Sequence, residues 1–184
     1  MSKYLYILDN GHGEDTKGKR SPIWNDRSQL LEYQFNRNVV KYLSFMLRQM
    51  KIDCEVLVPE LTDIGLKERV NRANLIAKKR KCILISIHGN SFTDEKINGI
   101  ETHYYSEKGK ELAKVFQKRI GKLGNNRGIK ESSFYILKYT SMSAILTENG
   151  FYSNEIECKR MLNNQFQYEL ANEHLKAIQK IESL

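Results

Sequence analysis

The chain has 184 residues, 40% hydrophobic and 28% charged, with 30 Lys and Arg against 22 Asp and Glu for a formal charge of +8. That length suits one domain with a full core, and no apolar run approaches the ~20 residues that a membrane-spanning helix needs. Three widely spaced cysteines, Cys54, Cys82 and Cys158, argue against a disulfide framework or a thiolate metal site and read as small buried hydrophobes.

Residues 3–9 form an apolar strand that runs into Asp9-Asn10-Gly11-His12-Gly13, so it stops at a histidine set between glycines. Residues 10–28 are a loop rich in Gly, Asp, Lys and Ser, with Pro22 and the single tryptophan, Trp24. So long a loop inside a compact domain is usually functional. From about residue 30 to 50 the pattern becomes helical, because Leu31, Phe35, Val39, Leu43 and Met46 recur at three- and four-residue spacing. Glu32 falls in the first turn of that helix. Residues 53–58 read as a second strand, stopped by Pro59, and residues 66–79 as a second helix with Leu66, Val70, Ala73 and Ala77 on one face. Lys78-Lys79-Arg80-Lys81 then sits where the helix macrodipole favours cations.

Residues 83–87 are Ile-Leu-Ile-Ser-Ile and run into His88-Gly89-Asn90. This is the pattern of a strand buried on both faces that ends where a side chain acts. Residues 99–105 alternate and predict another strand, nearer an edge of the sheet. A third helix is expected over 107–122, a loop with turn chemistry at 125–128, a short strand at 134–137 and a last core strand at 142–148. The remainder, 153–181, reads as helical, its acidic and basic residues mingled as on a solvated face. Strands alternating with helices predict a single α/β domain with a mostly parallel central sheet of about six strands and helices on both faces.

In an open α/β sheet, ligands sit outside the carboxyl ends of the strands. His12, His88 and Glu148 end three core strands there, and Glu32 opens the first long helix. A catalytic zinc takes three His or carboxylate ligands and keeps one position open, which His12, Glu32 and His88 can supply. The flanking glycines let the backbone turn sharply and keep bulk away from a metal and its substrate. Zinc brings the pKa of a bound water to about 7, and Glu148 is placed to take that proton and return it to a leaving amine. Each residue also has a plainer role: a hydrogen-bonded loop histidine, a glutamate meeting a helix dipole, a structural ion pair. The three strand ends together favour the metal and describe a metal-assisted amide hydrolase.

Seven motifs then match one family in order. They are Asp9-Asn10-Gly11-His12-Gly13, with Asn10 in the place of a proline; Glu32; Leu66-Lys67-Glu68-Arg69 with Ala73-Asn74; Ser86-Ile87-His88-Gly89-Asn90; Gly99-Ile100-Glu101-Thr102; Arg127-Gly128-Ile129-Lys130 with Phe134-Tyr135-Ile136-Leu137; and Glu148-Asn149-Gly150-Phe151-Tyr152-Ser153-Asn154. On these the chain resembles the zinc-dependent N-acetylmuramoyl-L-alanine amidases of the amidase-3 type. The resemblance implies one Zn2+ held by His12, Glu32 and His88, with Glu148 as the catalytic acid/base. It also implies hydrolysis of the amide between N-acetylmuramic acid and L-alanine in peptidoglycan, by a single catalytic domain without a separate wall-binding domain.

Around the centre, Asp9 or Glu101 is a candidate acceptor for the second N–H of a ligand histidine, and Asp9 is equally a stabiliser of its own loop. Asn90 either fixes the turn after His88 or contacts substrate. His103, on a strand with one exposed face, and His174, on a charged helix and therefore solvated, are expected to bind no metal. Trp24 and the Tyr104-Tyr105 pair either line a groove or pack in the core. The expected partner is peptidoglycan, with attraction of the +8 charge to anionic wall polymers, and a monomer is expected. The start, Met1-Ser2-Lys3-Tyr4, does not read as a signal peptide. The protein is therefore expected to wait in the cytoplasm for release, as a phage endolysin does, or to leave by another route, or to have lost its leader. A non-catalytic wall-binding module of the same fold is the alternative, and the presence of all four site residues argues against it. Nucleic-acid binding would need a concentrated basic face with interleaved aromatics, and the basic residues here are dispersed.

Overall fold

The computed structural model describes residues 2–183. Among them the elements run β1 (Leu5–Asn10), α1 (Glu32–Gln49), β2 (Cys54–Val56), α2 (Leu66–Ala77), β3 (Cys82–Asn90), β4 (Ile100–Tyr104), α3 (Glu107–Ile120), β5 (Asn126–Glu131), α4 (Tyr135–Lys138), β6 (Ser143–Phe151), α5 (Glu155–Leu162) and α6 (Asn164–Glu182). The strands form one sheet in the order β2-β1-β3-β6-β4-β5. Neighbours pair in parallel except β4 with β6, which are antiparallel. The α/β class and the mostly parallel sheet are as the sequence predicts. No helix among the described residues is long and apolar enough to cross a membrane.

The pleat sorts side chains onto two faces with period two. Along β3, Ile83, Ile85 and Ile87 join the cluster made with α1, α3, α5 and α6, while Cys82 and Leu84 join the cluster made with α2 and α4. Ile145 of β6 belongs to the first cluster, and Ala144 and Leu146 to the second. The three isoleucines are at most 2% exposed, and burying each contributes about 1.5–3 kcal/mol, so β3 is the central prop of the sheet. By the same alternation Asp9, Ser86, His88 and Glu148 fall on the α2/α4 side. That side carries less helix, since α4 is a single turn, and leaves room for a cleft.

Several local expectations are corrected. Residues 134–137 are no strand: Tyr135–Lys138 is a helical turn that buries the consecutive residues Ile136 and Leu137 together, which a strand with one covered face does not allow. The sixth strand is β5, over residues that read as a turn. Its Gly128 has φ 77, in the left-handed region, and the β4–β5 register shifts beside it, so the turn chemistry marks a bulge in a half-buried outer strand. β4 is second from an edge, as expected, but β5 covers its outer side and all five of its residues are buried, so it has no exposed face. His103 is accordingly buried and bonds Ser132 and Glu101. The terminal stretch is two helices, parted at Asn163, whose side chain caps α6. His174 is not solvated but fully buried, with Nδ1 on the Leu170 carbonyl at 2.9 Å and Nε2 on the Thr147 hydroxyl at 3.1 Å. All three cysteines are free, Cys82 and Cys158 buried and Cys54 half-buried.

Candidate metal centre and catalytic cleft

Past β1 the chain turns at His12, whose φ of 65 lies in the left-handed region, where a non-glycine residue stores about 1–3 kcal/mol of strain. Arg37 Nη1 holds the turn by donating to the His12 carbonyl at 2.7 Å. Gly11 is required by close approach, because a Cβ there would lie 2.0 Å from the His88 ring. Asn10, in the place of proline, ties β1 to the segment after β2 by donating to the Val58 carbonyl at 2.9 Å.

Glu32 is the first residue of α1, and its side chain is 1% exposed. His12 Nε2 stands 3.3 Å and His88 Nδ1 3.0 Å from its Oε1. One donor atom from each of the three residues lies within 4.8 Å of the other two. Asn36 and the Tyr152 hydroxyl donate to the same carboxylate at 3.4 and 3.2 Å. Burial alone would raise the Glu32 pKa, but the hydrogen bonds and charges of the two histidines outweigh it and hold the carboxyl well below the ordinary range. The histidine side chains keep 19% and 16% exposure and border an open cavity. Two imidazoles and an anionic carboxylate, buried on one side and open on the other, fit a divalent ion with a free coordination position.

Behind His88 runs a relay. The Ser86 hydroxyl donates to Asp9 Oδ2 at 2.5 Å and lies 3.1 Å from His88 Nε2. With its proton committed to Asp9, the Ser86 oxygen accepts, so Nε2 carries a hydrogen. Asp9 therefore reaches His88 through Ser86, and its other oxygen pairs with Arg69 at 2.6 Å. Both members of that pair are at most 2% exposed, and removing one from such a pair costs about 3–5 kcal/mol. The sequence motifs include Arg69, Ser86 and Tyr152 without showing what they do, and nothing in them marks Asn36. Ser86 did carry a signal: it is the one polar residue in the apolar run before His88 and shares its face.

Glu148 is the direct register partner of His88 across β3 and β6. Its Oε2 is buried with no hydrogen-bond partner among the described residues. Burial pushes its carboxyl up to about 8; His88 opposes this, and the charges of Glu32 and Glu101 add to it. Such a group can hold or release a proton near neutral pH.

Glu101 touches neither His12 nor His88. It reaches this edge because β4 runs antiparallel to β6, which sets Glu101 opposite Glu148. Its Oε1 meets His103 Nε2 at 3.0 Å and Asn90 Nδ2 at 3.3 Å, and its Oε2 accepts from Arg127 Nε and Lys130 Nζ, both at 2.7 Å. Burial works against the charge, yet these bonds hold the carboxyl down at about 2. Asn90 also caps its own turn, its Oδ1 accepting from the Ser91 N–H at 2.8 Å.

Two cavities meet at Glu148 and Phe134. The main one, about 440 Å³, is bordered by His12, His88, Ile64, Leu66 and Tyr135. The second, about 290 Å³, reaches past Asn90 and Phe92 to Arg127 and Lys130. Trp24 and Tyr104 pack against the large core cluster instead, and the aromatic walls come from Phe92, Phe134, Tyr135 and Phe151.

The family model described as N-acetylmuramoyl-L-alanine amidase matches residues 7–180. The N-acetylmuramoyl-L-alanine amidase LytC of Bacillus subtilis (strain 168) is 30% identical over 166 residues, 84% of this chain and 31% of LytC. The probable cell wall amidase LytH of Staphylococcus epidermidis is 26% identical over 161 residues, 86% of this chain and 51% of LytH. The crystal structure of N-acetylmuramoyl-L-alanine amidase from Clostridium difficile 630 aligns with a TM-score of 0.87 at 31% identity, over 98% of this chain and 97% of that one. The chain thus spans about a third of LytC, half of LytH and nearly all of the solved chain.

Proposed function

The chain belongs to the N-acetylmuramoyl-L-alanine amidase family, and from that premise we propose that it hydrolyses the amide joining the lactyl group of N-acetylmuramic acid to L-alanine in peptidoglycan, with zinc. The observation that carries the reading is the convergence of His12, Glu32 and His88 donor atoms within 4.8 Å beside the unpartnered carboxyl oxygen of Glu148.

His12, Glu32 and His88 would hold one Zn2+. When bound, the ion would polarise the amide carbonyl and make water acidic enough to ionise near neutral pH. Glu148 takes the proton from the attacking water and later gives it to the departing L-alanine nitrogen. The C–N bond breaks, a carboxylate remains on the lactyl group and a free amine leaves on the peptide. Asn36 and Tyr152 orient the Glu32 carboxylate, and Ser86 fixes the His88 ring. The described residues act as the catalytic unit. The work is done at the cell wall, where the +8 charge adds attraction to anionic wall polymers.

The test is the appearance of new amino groups when zinc-loaded protein acts on purified walls. The proposal expects L-alanine to become amino-terminal; walls that gain no amine would sink it.

A further inference from the structure

The two cavities that meet at Glu148 differ in charge, and so do the two halves of the proposed substrate. In the main cavity Lys19 and Arg69 are balanced by Asp9 and Asp63. In the second, Arg127 and Lys130 face Glu101; with Glu148 common to both, the second cavity is one charge more positive than the main one. Glu101 is saturated by its four neighbours, but its cations are not. Among the described residues Lys130 makes one hydrogen bond, and Arg127 Nη2 makes none, its Nε and Nη1 being used on Glu101 and the Asn98 carbonyl. The Arg127 guanidinium is steadied over the Phe151 ring, 5.1 Å from its centroid. On the substrate, the lactyl carboxyl is consumed in the amide, so the sugar side of the bond has no ionised group there. The peptide side carries free carboxylates.

We propose that the second cavity seats the stem peptide, and that Lys130, assisted by Arg127, pairs with a free carboxylate on the residue that follows L-alanine. This rests on the amidase reading of the same site. The distances suit it. Neighbouring strands lie about 4.8 Å apart, and β4 alone separates β6, with Glu148, from β5, with Lys130. The two backbones thus lie about 10 Å apart, but Lys130 Nζ reaches back to Glu101, the register partner of Glu148. One extended residue of about 3.5 Å therefore carries the second residue of a peptide whose first nitrogen lies at Glu148 toward the cation. Phe92, Ile97 and Phe134 give that cavity apolar walls, which suit the alanine methyl and the peptide stem. Glu101 then positions two cations for an anionic substrate rather than a histidine for the metal.

The test uses the whole zinc-loaded protein and two peptides, L-alanyl-γ-D-glutamate and the same peptide with its α-carboxylate as a carboxamide, with binding read by calorimetry. The wild type is expected to favour the carboxylate about tenfold. Lys130→Met should lose that preference, and Lys130→Arg should keep it. Because Lys130 is 41% exposed, its replacement leaves the core untouched, and Arg127→Gln provides a second variant expected to weaken the same preference. Equal affinity of the wild type for the two peptides overturns the proposal, as does a preference that survives in both Lys130→Met and Arg127→Gln. A preference that depends on Lys130 in a protein that releases no amine from walls would retain the peptide cavity and reject the amidase reading.

Discussion

His88 is held from both sides, by Glu32 at Nδ1 and by Ser86 at Nε2, and its two partners do different work. Glu32 shares the proposed metal, whereas Ser86 only sets the ring. Asp9→Ala would break the buried pair with Arg69, so loss of fold would mask any change at the centre. Ser86→Ala removes the ring's acceptor and keeps that pair. We expect it to weaken zinc binding about 10–100-fold in a chelator competition; unchanged affinity would remove Ser86 from the relay. Glu148→Gln should bind zinc with unaltered stoichiometry and lose about 10²–10⁴-fold in turnover, and a fully active variant would exclude Glu148 as the proton carrier. His12, Glu32, His88 and Glu148 were legible as residues because each ends or begins an element beside a turn. Their helpers were not. Ser86 and Asp9 act only through a strand pairing, Tyr152 comes from 120 residues away in the chain, and Glu101 looked like a partner for a metal-bound histidine until its cations were placed.

The strands and helices with strong periodicity were readable because one buried face imposes one spacing. The failures lie where tertiary pairing overrides the local pattern. β5 is built on Asn-Arg-Gly-Ile-Lys-Glu, which has no apolar alternation, and β4 holds it by backbone bonds. The charged terminal stretch hid His174 because a solvated face and a buried face share α6. That histidine has a measurable consequence. Its pKa is pushed down to about 4 by burial, against a partial offset from the Leu170 carbonyl and Glu173, so the unfolded chain takes up the proton at higher pH than the folded one. The stabilisation is complete above about pH 6.5 and is lost as pH falls toward 4. That difference in pKa corresponds to about 3 kcal/mol. Denaturant titrations at pH 7 and 4.5 should show a smaller acid-induced loss in His174→Gln than in the wild type. An equal loss in both proteins would mean that His174 is not the group that titrates.

At the scale of the molecule, the parallel strands β1, β3 and β6 carry His12, His88 and Glu148 to one sheet edge, and the antiparallel β4 returns Glu101 to that edge. The first half of this plan follows from strand–helix alternation. The reversal of β4 does not, because a strand's direction is set by its neighbours and the connection between them rather than by its own residues. The reversal separates the cleft into a charge-balanced arm and a cationic arm with Glu148 between them. The proposed reaction is zinc-dependent cleavage between muramic acid and L-alanine, with the peptide leaving from the cationic side. Mass analysis of the products from purified sacculi tests it most directly, with zinc-loaded protein alone and with a chelator. The expected result is intact glycan strands with a free lactyl carboxylate, stem peptides beginning with L-alanine, loss of both products under chelation and their return on adding zinc. Cleavage within the glycan or within the peptide, or release that persists when zinc is removed, would contradict it.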